Sequence, residues 1–220
     1  MERNGRIMIS TEYSVYDYKN LNLTCDSNEY IWKQAIEMIR NRFEDRFFST
    51  ISYLDGSLYT HDYNTYKVER NGFAIMALNC LLIDTFYQFE YGLESSGDFN
   101  TITKDRGVGT HYKSFLKSKF PDLFNNNTSI DLASLFYDNI RCGILHSAQT
   151  KGCSMLSCDY NEIIGICYDD DGKAGIIVNV PEFSRILKEY FYNDYLSRLI
   201  NGHNSTRKAF INKMQFVCEI

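Results

Sequence analysis

Apolar residues at Ile31, Ala35, Ile36, Met38, Ile39, Phe43, Phe47 and Phe48 recur at steps of three and four, which predicts an amphipathic helix over 29–54 ending near Asp55-Gly56. Ser27 or Asn28 stands where a cap belongs. The polar positions Lys33, Arg40, Arg42, Glu44, Asp45 and Arg46 form an outer face that the pattern assigns to solvent. Residues 57–69 read as a loop, and Asn71-Gly72 opens a second helix over 71–92. Phe73, Ile75, Met76, Leu78, Leu81, Leu82, Phe86 and Phe89 make that helix apolar nearly all round, so it is expected at the centre. A Ser-, Gly- and Asp-rich loop follows over 93–109, then a short helix over 111–120 that Pro121 and the run Asn125-Asn126-Asn127 break.

A fourth helix is predicted over 129–146, with Asp131 in its first turn and Leu132, Leu135, Phe136, Ile140, Ile144 and Leu145 on its apolar side. The period then changes. Two β-rich runs, 163–168 and 174–180, flank Asp169-Asp170-Asp171-Gly172 and predict a β-hairpin near 162–180, with the acidic run at its solvated tip. Pro181 begins a fifth helix over 181–201, and Ser205 caps a last one. Residues 1–27 are polar and Tyr-rich and read as an extended lead-in with at most one short strand. The fold class is therefore mainly α, a helical bundle with the hairpin as an accessory. No repeat or linker divides the chain, so 1–220 is expected to be a single domain.

Composition narrows the function classes. The 17 Tyr and 15 Phe suit a packed domain with aromatic core and interface surface. A net charge of −5 excludes a general electrostatic pull toward nucleic acid, so any such partner must be held by a local basic patch. Seven Cys, an odd number without compact spacing, read as reduced thiols of a cytoplasmic protein. The N-terminal residues lack an apolar run of leader length, and the stretch around Phe73 to Leu82 is too short to span a bilayer, so no membrane partner is expected.

An Arg followed five residues later by a His occurs three times, at Arg106–His111, Arg141–His146 and Arg198–His203. The first lies in a Gly-rich loop, which is expected to hold neither side chain firmly, and the last runs across a helix end through Asn201-Gly202. Arg141–His146 alone follows a well-patterned helix. The segment Leu135-Phe-Tyr-Asp-Asn-Ile-Arg141-Cys-Gly-Ile-Leu-His146 resembles the signature of the HEPN superfamily of helical ribonucleases, in which an Arg and a His four to six residues apart lie late in a bundle helix. The resemblance implies a metal-independent endoribonuclease of a toxin or antiviral-defence type, acting without cofactor. It implies a homodimer whose two Arg–His pairs share one cleft, RNA as substrate, and an antitoxin or regulatory partner.

Arg141 and His146 are then the catalytic residues. A histidine transfers protons near neutral pH, and an arginine presents a planar cation to phosphate oxygens. Family members often carry a polar residue after the Arg. Cys142 stands there instead, and Asn139 is taken as the supporting residue. On a straight α-helix residues five apart diverge by about 140°. Gly143 between the two marks a place where the helix could loosen. A bland reading pairs Arg141 with Asp138 and leaves His146 as a helix-terminal residue.

Cys142, His146, Cys153 and Cys158 could make a zinc set, although the spacing lacks a tight knuckle, and no metal site is expected. Gly107-x-Gly109 is too short for a dinucleotide loop, and no Gly-x-Ser-x-Gly elbow occurs. The alternative from another class is a non-catalytic HEPN-like dimer that binds a nucleic acid, a nucleotide or a partner protein.

Overall fold

The computed structural model describes residues 2–3, 5–56, 64–125 and 129–219, with the backbone alone at 2, 3, 6, 56 and 64–70. The lead-in is folded rather than extended. Glu2–Arg3 (β1) and Arg6–Ile7 (β2) pair antiparallel. Val15–Asn20 (α1) follows a capping box in which Ser14 and Asp17 bond each other's backbone. Ile9 is buried, and its carbonyl accepts from Arg42 at 3.1 Å and Arg46 at 3.3 Å. Asp45 accepts from the Thr11 backbone at 2.6 Å. Part of the charged face assigned to solvent is thus the seat of the lead-in.

The helix predicted over 29–54 is Glu29–Phe43 (α2), a π-helical stretch Glu44–Phe48, and Ser49–Gly56 (α3). Asn28 caps it, its side chain accepting from the Ile31 backbone at 3.1 Å. Within the predicted loop, 57–63 lie outside the described residues, and the following helix already begins at Asn64, running Asn64–Tyr91 (α4). Val108–Lys119 (α5) and Pro121–Phe124 (α6) come next; Asn126 and Asn127 lie outside the described residues. The predicted 129–146 helix is Leu132–Leu135 (α7), a π-helical stretch Phe136–Arg141, and Cys142–Ser147 (α8), with Asp131 as its cap rather than a first-turn residue.

Met155–Ser157 (β3), Ile164–Tyr168 (β4) and Ala174–Asn179 (β5) make a sheet of order β3-β5-β4. The predicted hairpin is present as the antiparallel β4–β5 pair, Tyr168 opposite Ala174, and β3 adds a parallel strand that the pattern did not reveal. Asp169 closes the tip by accepting from the backbone of Asp171 and Lys173 at 3.1 and 2.8 Å. Val180–Glu189 (α9), a π-helical stretch Tyr190–Tyr195, Leu196–Ile200 (α10) and Asn204–Glu219 (α11) complete the chain.

The architecture is mainly helical with a small three-stranded sheet. The helix α4 is its centre, packing against α3, α5, α8, α9, α11 and β3. Its stretch Asn71–Tyr91 has the length and mean hydropathy, 1.3, of a membrane span, so length does not exclude it as expected from the shorter run. Most of its apolar residues are spent inside the protein: Ile75, Met76, Leu82, Ile83, Phe86 and Phe89 are buried, while Phe73 and Leu81 are exposed. Around them the rings of Phe43 and Phe191 stack at 4.5 Å and those of Phe43 and Phe86 at 5.5 Å. Ile164, Ile176 and Val178 belong to the same buried cluster, so the sheet covers core rather than hanging from it.

Candidate functional site

The site lies where the helix α7–π–α8 crosses α4. In the π stretch the Cys142 N–H donates to the Tyr137 carbonyl, five residues back, so one extra residue is accommodated before Arg141. The widened turn buries Phe136 and Ile140 and sets Arg141 beside both α4 and the Tyr137 ring. Arg141 Nη2 donates to Asp84 Oδ2 at 3.1 Å, with the two side chains only 15% and 11% exposed. Its guanidinium lies 5.5 Å from the Tyr137 ring, and Lys113 Nζ lies 5.9 Å from the same ring. Burial pushes the Asp84 carboxyl up, and Arg141 brings it only part of the way back. The bland alternative, an Arg141–Asp138 pair one turn back, gives way to this tertiary ion pair.

His146 stands in the last turn of α8, exposed, with no bonded partner among the described residues. The loosened turn precedes Arg141 instead of falling at Gly143, and 142–147 is regular α-helix. Arg141 and His146 therefore leave the helix axis about 140° apart, the first toward α4 and the second toward solvent. Within one chain the structure does not bring them together. Asn139 is engaged elsewhere: its Nδ2 donates to Ser154 Oγ at 3.1 Å, and its carbonyl accepts from the Lys151 backbone at 3.0 Å. Gly143 has a packing reason, since a Cβ there would come within 2.5 Å of the Gln149 carbonyl as the chain folds back over α8.

Of the two other Arg–His pairs, Arg106–His111 differs from expectation, whereas Arg198–His203 does run over a helix end, from α10 across Asn201-Gly202. His111 is fully buried and firmly held in α5, with Nδ1 2.7 Å from the Ser96 carbonyl and Nε2 2.8 Å from Asp105 Oδ1, its ring stacked on Tyr87 at 4.6 Å. The Gly-rich segment before it is therefore an ordered clasp rather than a loose loop. Arg198 makes a bidentate pair with Glu90 at 2.9 and 2.7 Å and also meets Asp194 at 2.8 Å, while His203 contacts the Thr206 and Ser205 hydroxyls at the start of α11. Among the described residues no three His, Cys, Asp or Glu converge as a metal cluster, so Cys142, His146, Cys153 and Cys158 are not assembled into one.

Asp84, Tyr137 and Lys113 escaped the sequence reading. Asp84 had a usable signal: a carboxylate in the middle of an otherwise apolar central helix requires a buried cationic partner. Tyr137 and Lys113 had none, because their meeting depends on how α5 packs beside the π stretch. No family model, curated protein or solved structure matches the chain.

Proposed function

We propose that this chain is a metal-independent endoribonuclease of the toxin or antiviral-defence type, working as a HEPN-like homodimer in the cytoplasm. The observation that carries the reading is the exposed, unengaged His146 one turn beyond an Arg141 that is held in place by Asp84 and Tyr137. His146 takes the proton of a ribose 2′-hydroxyl, and His146 of a second copy returns a proton to the leaving 5′-oxygen. Arg141 offsets charge growing on the phosphate, with Lys113 adding positive charge nearby. The divergence of the pair within one chain is what a composite cleft addresses, since each pair would then face RNA from its own side. An antitoxin or regulatory partner would act by covering that cleft.

One observation favours the second reading, a non-catalytic HEPN-like module binding nucleic acid, a nucleotide or a partner protein: Arg141 and Asn139 are both spent on internal bonds. The test uses purified wild type and His146→Ala on a mixed RNA pool with chelator present. Wild type should run as a two-chain species by light scattering, leave 2′,3′-cyclic phosphate and 5′-hydroxyl ends, and spare DNA. His146→Ala should be slower by about 10²-fold or more. His203→Ala is the suitable control, because His111 is a buried structural residue. Equal activity of wild type and His146→Ala overturns the catalytic assignment, and RNA binding without cleavage selects the second reading.

A further inference from the structure

None of the seven cysteines is in a disulfide, yet Cys153 and Cys167 place their Sγ atoms 3.9 Å apart. Cys153 lies just before β3 and Cys167 on β4, with β5 between those strands. The two meet because the residue of β5 opposite Cys167 is Gly175. A Cβ at Gly175 would come within 2.5 Å of Cys153 Sγ, so the missing side chain is what lets Cys153 reach across the strand. Each thiol also sits against nearby backbone: Cys167 donates to the Cys153 carbonyl at 3.1 Å, and Cys153 to the Lys173 carbonyl at 3.4 Å. Both side chains are half-buried, within reach of a small reagent, whereas Cys80 and Cys218 are buried.

We propose that Cys153 and Cys167 form a reversible disulfide, closed by hydrogen peroxide and reopened by a dithiol. Cys153 attacks one peroxide oxygen as its thiolate. The O–O bond breaks, the sulfur becomes a sulfenic acid, and hydroxide leaves with the thiol proton as water. Cys167 then attacks the Cys153 sulfur, the S–O bond breaks, and a second water carries off the Cys167 proton. Two thiols are oxidised and one peroxide is reduced to two waters. Cys167 is the resolving partner, since burial and then Cys153 push its thiol up to about 11, which leaves it a poor first nucleophile. Forming the bond closes the Sγ–Sγ separation from 3.9 Å to about 2 Å.

The bond would add a covalent tie to the segment that leaves the candidate helix. That segment is already fastened by Lys151 and Ser154 to Asn139 and pressed on Gly143. The site itself does not depend on the ribonuclease reading.

The test treats the reduced, folded chain with hydrogen peroxide, caps remaining thiols with N-ethylmaleimide, and maps peptides by mass. The expected result is a loss of two hydrogens and a peptide joining Cys153 to Cys167, reversed by dithiothreitol. The melting temperature of the oxidised form should rise by about 5 °C or more. In Cys167→Ser, Cys153 should stop at the sulfenic acid and be trapped by dimedone. Recovery of both cysteines capped, a link to any other cysteine, or direct over-oxidation of Cys153 in the wild type would each overturn the proposal. The wild-type map decides even if the variant fails to fold.

Discussion

Asp84 and Arg141 show how a buried ion pair fixes position at small net gain. The carboxyl is pushed up by burial and only partly recovered by its partner, so the pair holds Arg141 in place more than it stabilises the fold. Asp84→Asn should lower stability by about 3 kcal/mol, because the guanidinium loses its counter-charge among packed side chains. Adding Arg141→Met should restore most of that loss, as two apolar neighbours replace two charges. Denaturant titration of the single and double variants measures both steps. A single variant as stable as wild type would mean that water already reaches Arg141. His111 behaves differently, since both ring nitrogens face oxygen acceptors and its ring is covered by Tyr87. Its replacement acts on the clasp over 96–105, not on the Arg141–His146 helix.

At the scale of elements, three helices among the described residues carry a π-helical stretch in mid-course, and each turns an aromatic residue, Phe48, Phe136 or Phe191, into the core. An extra residue in the turn rotates everything that follows around the axis. This is why Arg141 points to α4 while Tyr137 still lies below it. The return of the chain over α8 depends on Gly143. Gly143→Ala should gain about 1 kcal/mol in helix propensity and lose about 1–3 kcal/mol as the new methyl drives the Gln149 carbonyl away. A lower denaturant midpoint is therefore expected. A higher midpoint would show that 148–151 moves aside freely. The 140° divergence of Arg141 and His146 belongs to this scale too, because α8 resumes a regular helix before the His is reached.

At the scale of the whole molecule, Glu90 joins α4 to the C-terminal helices. Its side chain, 9% exposed, pairs with Arg198 and Lys119 and accepts from the Tyr190 hydroxyl at 2.9 Å. Burial pushes its carboxyl up, but Arg198 and Lys119 outweigh this and hold it below the ordinary carboxylate range. A depressed carboxyl gives stability that is complete above its unfolded value, about 4.3, and is lost as pH falls through the lower folded one. Wild type should thus lose stability steeply below about pH 4. Glu90→Gln should be about 3 kcal/mol weaker at neutral pH, with the gap closing in acid. Thermal melts of both proteins across pH check this, and a gap that persists at pH 3 would assign the effect to packing.

The sequence by itself determined the mainly helical class, the central position of the 71–92 segment, the β4–β5 hairpin and a helix cap at Ser27 or Asn28, of which the structure uses Asn28. Each of these is local: a period of hydrophobic residues, a turn residue or a capping side chain acts over a few positions. It also singled out Arg141 and His146 as neighbours in the chain. Tertiary structure alone decided the partner of Arg141, the burial of His111, the bonding of Asn139 to Ser154 and the approach of Cys153 to Cys167 across Gly175. The π-helical stretches belong there as well, because a 3.6-residue pattern carries no mark of the turn that takes in one residue more. Such contacts join positions far apart in the chain, and which of several possible partners a buried charge or thiol meets is set by how whole elements pack.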